Sequence, residues 1–362
     1  MQDYFLISSP LHLCLAASIA LKHPDHERTA VFTYKDPKTS ALYARALERC
    51  PDVFSRIVIL GDENARGRWA RQRVVYRQLE ALFARPTEMR VFTGNDRRFD
   101  FQYAMHVATK AGARVQGIYI DDGASTYMGQ RTMHRFHNRY IKPLLRKLEH
   151  GFWHKHAVTQ GSSAWTTAAY VAFPSEVHPL LRGKELIEVD VSPLRSERFQ
   201  AVVEGLTHDA AQLRRVLSGL RVVVTLPKER NYIDDDPLTY QRLWEQLRMH
   251  FGAAQIGIKA HPKSTRLDAL ERLFPGSSKV DAGIGMEFLL TMLPDGCIVI
   301  GDISSTVLTS RWIRPDLPVI AMQPGAGMAA NRKALYDKLR IPVTEVTGIG
   351  ALIGRLLQTP TP

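Results

Sequence analysis

Lys259-Ala260-His261-Pro262 follows the apolar run Ile256-Gly257-Ile258, which puts a cation and an imidazole at the exit of a buried strand. Strand exits are where α/β proteins do their chemistry. Pro262 ends the ladder there, and an ordinary turn would use the same residues. A second exit lies downstream, where Cys297-Ile298-Val299-Ile300 runs into Gly301-Asp302-Ile303-Ser304-Ser305-Thr306 and then a helical pattern. Serines at a helix start serve as N-caps, and the free N–H groups behind them also cradle phosphate. Lys259, His261 and the hydroxyls of Ser304, Ser305 and Thr306 can therefore converge on one phosphate.

A third exit carries Tyr119-Ile120-Asp121-Asp122-Gly123. Asp-Asp-Gly is a good turn, and it also offers a general base: a carboxylate beside a like charge and partly buried holds its proton more tightly and can take one from a hydroxyl. Adjacent residues of an extended chain point opposite ways, so one acid is the base and the other braces the loop.

The elements that position these residues read as alternating strands and helices. Tyr4 to Ile7 predicts a strand, Ser8-Ser9-Pro10 a turn and Leu11 to Leu21 a helix. Apolar runs at 29–33, 57–60, 90–93 and 117–120 alternate with helix-length segments, the pattern of a parallel sheet wrapped by helices. Periodicity weakens between Ser162 and Thr207, where Pro174, Pro179 and Pro193 punctuate the chain. Strand character resumes at Val222-Val223-Val224-Thr225-Leu226, followed by a helix over 238–251 and the strand into Lys259. Helices over 267–274 and 286–293 and a strand over 318–322 complete a second such domain. The expected division is an N-terminal Rossmann-like domain over 1–190, a linker over 191–218 and a C-terminal Rossmann-like domain over 219–362. Two such α/β domains facing a central cleft make a GT-B architecture the expected fold.

Of 362 residues, 45% are hydrophobic and 23% charged, the balance of a globular protein. Lys and Arg outnumber Asp and Glu by 48 to 36, and the resulting charge of +12 favours anionic partners. Two basic stretches stand out. A helix expected over 66–84 begins with Arg66, Arg68, Arg71, Arg73 and Arg77, and a segment over 131–156 interleaves Arg135, Arg139, Lys142, Arg146 and Lys147 with Phe136, Tyr140, Leu144, Leu145 and Leu148. The second suits an anionic membrane surface. No nucleic-acid-binding module is recognisable, so nucleic acid is not an expected partner.

Cys14, Cys50 and Cys297 are far apart, which argues against a disulfide framework or a cysteine zinc site. His134, His137, His150, His154 and His156 cluster without acidic or cysteine companions at zinc spacing, so no metal is expected. No dinucleotide fingerprint or Walker loop occurs: Gly283-Ile284-Gly285 lacks the third glycine and the strand context. The start of the chain has no positive region ahead of an apolar core, and no run reaches the roughly 18 apolar residues of a membrane span. The expected location is the cytoplasm, with peripheral contact at the cytoplasmic face of an anionic inner membrane.

Asp-Asp-Gly, then Lys-x-His-Pro, then a Glu opening an apolar helix, then Ser-Ser, in this order, resembles the bacterial sialyltransferases of glycosyltransferase family 52 and the related capsule polysialyltransferases. Ser8-Ser9-Pro10-Leu11 is similar to the Thr-Pro-Leu opening common in the first group. The resemblance implies a GT-B enzyme that transfers a nonulosonic acid, usually N-acetylneuraminate, from its CMP-activated form with inversion. The acceptor would be an oligosaccharide or polysaccharide of lipooligosaccharide or capsule. Asp121 would be the base, with Asp122 beside it the second candidate, and His261 would protonate or hydrogen-bond the leaving phosphate. Ser304 and Ser305 would bind that phosphate, and Lys259, Pro262, Thr306 and Ser9 would belong to the donor site. Glu287 would hold the ribose, although the run here is Gly285-Met286-Glu287 where the family pattern often has Pro before the Glu. No cofactor is implied, the CMP-sugar being a co-substrate. Hydroxyls, an imidazole and a helix start stabilise a leaving phosphate without a metal ion. A Kdo transferase or a CDP-glycerol glycerophosphotransferase would present similar residues, as would a catalytically inactive glycan-binding relative.

Overall fold

The computed structural model describes residues 1–33, 37–62, 65–129, 141–323 and 328–358. Of the basic stretches, His134, Arg135, Phe136, His137, Arg139 and Tyr140 lie outside the described residues. The chain divides into two compact units, Met1–Leu206 and Thr207–Pro362. The division falls within 191–218, a segment folded into a 3-10 turn, Ser192–Arg195, and two short helices.

Unit 1 runs β1 (Gln2–Ile7), α1 (Pro10–Leu21), β2 (Glu27–Phe32), α2 (Pro37–Glu48), β3 (Arg56–Ile59), α3 (Arg68–Phe83), β4 (Glu88–Thr93), α4 (Phe99–Lys110), β5 (Arg114–Ile120), α5 (Ala124–Met128), α6 (Lys142–His150), β6 (Thr166–Val171), β7 (Glu185–Glu188) and α7 (Glu197–Gly205). Its sheet is parallel, in the order β3-β2-β1-β4-β5-β6-β7. The central strands are buried and largely apolar toward their carboxyl ends because helices cover both faces of such a sheet. Nearer its start β1 carries Asp3, fully buried and held by Arg90 of β4 through bonds of 2.8 and 2.6 Å, opposite which it lies in register. α1 has no polar face and is buried almost throughout. Pro10 starts it, and Ser9 caps it by accepting the His12 N–H at 3.2 Å.

β6 and β7 occupy the stretch where the sequence suggested a weakening pattern. β6 is Thr-Thr-Ala-Ala-Tyr-Val and β7 is Glu-Leu-Ile-Glu. Small residues and an edge strand with charged ends carry little alternation. They extend the first sheet.

Unit 2 runs α8 (Ala210–Ser218), β8 (Val222–Thr225), α9 (Pro237–Arg248), β9 (Ile256–Lys259), α10 (Leu267–Leu273), β10 (Ser278–Val280), α11 (Met286–Leu290), β11 (Ile298–Asp302), α12 (Ser305–Ile313), β12 (Val319–Met322), α13 (Ala330–Lys338), β13 (Val343–Thr344) and α14 (Val346–Gln358). Its parallel sheet has the order β10-β9-β8-β11-β12-β13. One side is filled by α9 and α14, through Tyr240, Leu243, Leu247, Ile349 and Ile353 against Val224, Ile258 and Ile300.

Both sheets share a strand order in which the chain runs outward from a central strand and then crosses back. The crossing lies between β1 and β4 in unit 1 and between β8 and β11 in unit 2. At such switch points the connections leave on opposite faces and open a crevice at the carboxyl ends of the strands. Among the described residues no helix is long and apolar enough to cross a membrane.

Candidate active site

In unit 1 three neighbouring strands deliver side chains to the switch point. After β1, His12 stands in the first turn of α1 with its ring almost fully buried, Nδ1 3.1 Å from Ser8 Oγ and Nε2 2.8 Å from Asp122 Oδ1. After β4, Gly94 makes room for that ring: a Cβ there would lie 1.9 Å from His12 Nε2. After β5, Gly123 turns the chain into α5 with φ of +72°, a conformation costly for any other residue.

The two acids behave differently. Asp121 is 3% exposed and accepts four hydrogen bonds, from Gly123 N at 2.7 Å, Thr126 Oγ1 at 2.9 Å, Ala172 N at 3.0 Å and the Tyr127 hydroxyl. Burial raises its pKa, and these four donors oppose the rise. Its oxygens tie β5 to the end of β6, so Asp121 holds the loop. Asp122 keeps about a quarter of its side chain exposed, with one oxygen on His12 and the other accepting from the Gln160 amide. Gln160 sits in a turn pinned by Asp96, whose carboxylate accepts Gly161 N at 3.0 Å and Ser163 N at 2.6 Å. Complete burial pushes the Asp96 pKa up to about 6 against those two donors. The result is a chain Ser8, His12, Asp122, Gln160 with a solvent-facing carboxylate in its middle, an arrangement that can receive a proton.

In unit 2 the exit of β11 is held from several sides. Tyr240 of α9 donates to both Asp302 oxygens at 3.2 and 3.1 Å, Arg332 of α13 to Ile303 O at 3.3 Å, and Tyr336 of α13 to Ser304 O at 3.0 Å. Burial raises the Asp302 pKa to about 6, opposed by Tyr240. Ser304 is the N-cap of α12, yet its side chain makes no capping bond, and Ser305 follows exposed in the first turn. Uncapped N–H groups and two hydroxyls on a rigid loop are what an anion needs.

His261, after β9, accepts the Lys263 N–H on Nδ1 at 3.1 Å. In the neutral ring the proton then sits on Nε2, which makes that nitrogen a donor. Burial lowers its pKa first, and Lys228, Lys263 and Lys259 lower it further. A cluster that repels a proton attracts a phosphate. Lys259 itself is buried and donates to Ala260 O at 3.2 Å and Ala282 O at 3.1 Å, so its head ties the β9 exit to the loop before α11. Burial brings its pKa down to about 8, against the pull of Asp281 and Glu287.

This fold matches solved structures of sugar enzymes along nearly its full length. The α/β-galactoside α-2,3-sialyltransferase of Photobacterium phosphoreum superposes with a TM-score of 0.59 at 10% identity, over 96% of this chain and 98% of that one. The GT-B domain of a Photobacterium damselae sialyltransferase gives 0.56 at 12% identity, over 96% and 98%. The UDP-GlcNAc 2-epimerase of Methanocaldococcus jannaschii gives 0.59 at 10% identity, over 100% and 94%. The fold is GT-B. No protein-family model and no curated protein matches the sequence.

Within this GT-B chain, Asp121 and Asp122 stand together at the β5 exit, as Lys259, His261 and Pro262 do at the β9 exit and Ser304, Ser305 and Thr306 at the β11 exit. Glu287 is half-buried in the first turn of α11, within electrostatic reach of Lys259. Ser9 belongs to unit 1, where it caps α1. Among the described residues no three His, Cys, Asp or Glu side chains are grouped to hold a metal ion. Sequence reasoning missed His12, Gln160, Asp302 and Tyr240. The one signal for His12 was its presence in an otherwise apolar helix, where a buried imidazole needs partners. Gln160 and Tyr240 carried none.

Proposed function

We propose that the chain is an inverting, metal-independent glycosyltransferase that moves a nonulosonic acid, N-acetylneuraminate in the first instance, from its CMP-activated donor to a hydroxyl of a bacterial surface glycan. The observation that carries the reading is Asp122, a carboxylate about a quarter exposed and held by His12 and Gln160 at the switch point of unit 1. An acceptor hydroxyl loses its proton to Asp122 as its oxygen bonds the anomeric carbon, and the bond from that carbon to the phosphate oxygen breaks with CMP departing. Asp121, whose acceptor positions are filled, braces this base.

Charge accumulates on the departing phosphate, and unit 2 supplies what stabilises it: the Nε2–H of His261, the hydroxyls of Ser304 and Ser305 and the N-terminus of α12. Thr306 and Pro262 shape that site, Glu287 takes the ribose hydroxyls, and Lys259 acts by holding the loop that carries Glu287. These groups need no cofactor. The order of motifs, Asp-Asp-Gly, Lys-x-His-Pro, Glu, Ser-Ser, supports a CMP donor. The glycan acceptor and a cytoplasmic site of action belong to the same proposal.

The test is release of CMP from CMP-N-acetylneuraminate in the presence of chelator, by the native chain beside Asp122→Asn and His261→Ala. Release that both substitutions abolish is the expected result. Release from CMP-Kdo or CDP-glycerol alone keeps the site and changes the donor. The fold also houses UDP-GlcNAc 2-epimerases, and interconversion of UDP-GlcNAc with its 2-epimer, without release from any CMP or CDP donor, replaces the reading.

A further inference from the structure

α6 is docked with the wrong face outward for an ordinary surface helix. Ile141, Leu144, Leu145 and Leu148 recur at the spacing of one helical stripe, and all are exposed, Leu144 by 61% and Leu148 by 75%. Phe152, just past the Gly151 cap, is 86% exposed. The polar face is the one turned inward. The His150 side chain is 3% exposed, with Nδ1 3.3 Å from Gln72 Nε2 and 3.4 Å from the Tyr76 hydroxyl of α3. Its Nε2 lies 3.1 Å from Arg146, which also pairs with Glu149 at 2.9 Å, and its ring stacks on Phe99. A helix anchored through its polar residues displays its leucines to something that is not water.

The charge around the stripe identifies that something. Lys147 is exposed on α6, and Arg73 and Arg77 are exposed on α3, the helix that meets His150. Trp69, 62% exposed, and Arg73 lie on the same side of α3 as Gln72 and Tyr76. The one carboxylate of α6, Glu149, is paired with Arg146. A second copy of this chain would bring +12 against +12, whereas anionic headgroups complement it. Apolar side chains at the acyl boundary flanked by cations over the headgroups describe an interfacial helix.

We propose that α6 with Phe152 is an interfacial anchor that lies in the surface of an anionic lipid bilayer, Leu144, Leu145, Leu148 and Phe152 entering the headgroup boundary and Lys147 and Arg73 facing the headgroups. None of these residues belongs to the transfer site, so the anchor stands or falls apart from that reading.

The experiment is sedimentation of the full chain with vesicles of phosphatidylcholine alone and of phosphatidylcholine with phosphatidylglycerol. Binding to the anionic vesicles, weakened by added salt, is expected. Leu148→Ser with Phe152→Ser, both at exposed positions, lowers the partition constant roughly a hundredfold, about tenfold for each side chain withdrawn from the boundary, while CMP release in solution and thermal unfolding stay at native values. Lys147→Glu weakens binding and steepens nothing else. Vesicle binding by the double variant equal to native overturns the proposal, as does no binding by the native chain. Self-association of the native chain in sedimentation equilibrium, lost in the double variant without any vesicle binding, gives the face to a second copy instead.

Discussion

His12 Nε2 and Asp122 Oδ1 meet at 2.8 Å across 110 residues of chain. The contact joins the connection after β1 to the connection after β5, over the strand between them, and gives the solvent-facing acid a fixed direction. An imidazole bonded to Ser8 on its other nitrogen cannot swing freely, so Asp122 is presented in one orientation before any substrate arrives. Preorganisation of this kind is what a base needs to meet a hydroxyl at hydrogen-bond distance.

The two neighbouring acids are separable by substitution. Asp122→Asn leaves thermal unfolding near native and lowers kcat by roughly a hundredfold to ten-thousandfold. Asp121→Asn presents an amide where a carboxylate accepted four donors, and it lowers stability by roughly 2–4 kcal/mol. Turnover and urea unfolding measured on both variants check the assignment; a stable, inactive Asp121→Asn beside an active Asp122→Asn reverses the roles.

Gly94→Ala acts through His12. The new methyl overlaps the ring and forces the imidazole off Asp122 at a cost of about 1–3 kcal/mol in stability. Its pH–rate profile should match that of His12→Ala, and in the double variant the Gly94 substitution should add no further loss of turnover. Independent, multiplicative losses would refute the coupling.

At His261 the structure gives a neutral ring donating from Nε2. His261→Gln, whose amide N–H falls near the same place, should therefore retain much of the turnover that His261→Ala loses, the latter loss being about a hundredfold to a thousandfold. Equal losses in Gln and Ala would mean that a full proton, and not a hydrogen bond, reaches the leaving phosphate.

Asp302 carries a pH signature. Its folded pKa of about 6 lies above the ordinary carboxyl value, so the folded state holds the proton more tightly. The associated stability is present below the ordinary value and lost as the pH rises through about 6. Asp302→Asn keeps an acceptor for Tyr240 and removes the buried charge. It should be more stable than the native chain at about pH 8, by roughly 1–3 kcal/mol, with the gap closing toward about pH 4. Urea unfolding at both pH values measures this, and a gap independent of pH counts against it.

Much of the scaffold was legible because parallel strands buried on both faces are continuous apolar runs. β1, β8, β9 and β11 announce themselves, and the turn residues after them mark the exits. β6 and β7 were hidden by small and charged residues. The site was legible as types and order, not as contacts. Nothing local ties His12 to Asp122, and which of two adjacent carboxylates faces water depends on Thr126, Tyr127 and Ala172 coming back to meet the first. The pattern of α6 told which of its faces is apolar. Which face is docked was decided by Gln72 and Tyr76, about seventy residues earlier in the chain.

Gly94 and His12 exclude each other's growth, and that turns geometry into history. A lineage that keeps the imidazole can accept no side chain at 94, while one that has already traded His12 for something small is released from that restriction. Replacement at 12 must come first. Among descendants of a common ancestor, a bulky residue at 94 with histidine retained at 12 is the combination that should be missing, so aligned sequences alone can reveal which of them still carry the imidazole behind their carboxylate.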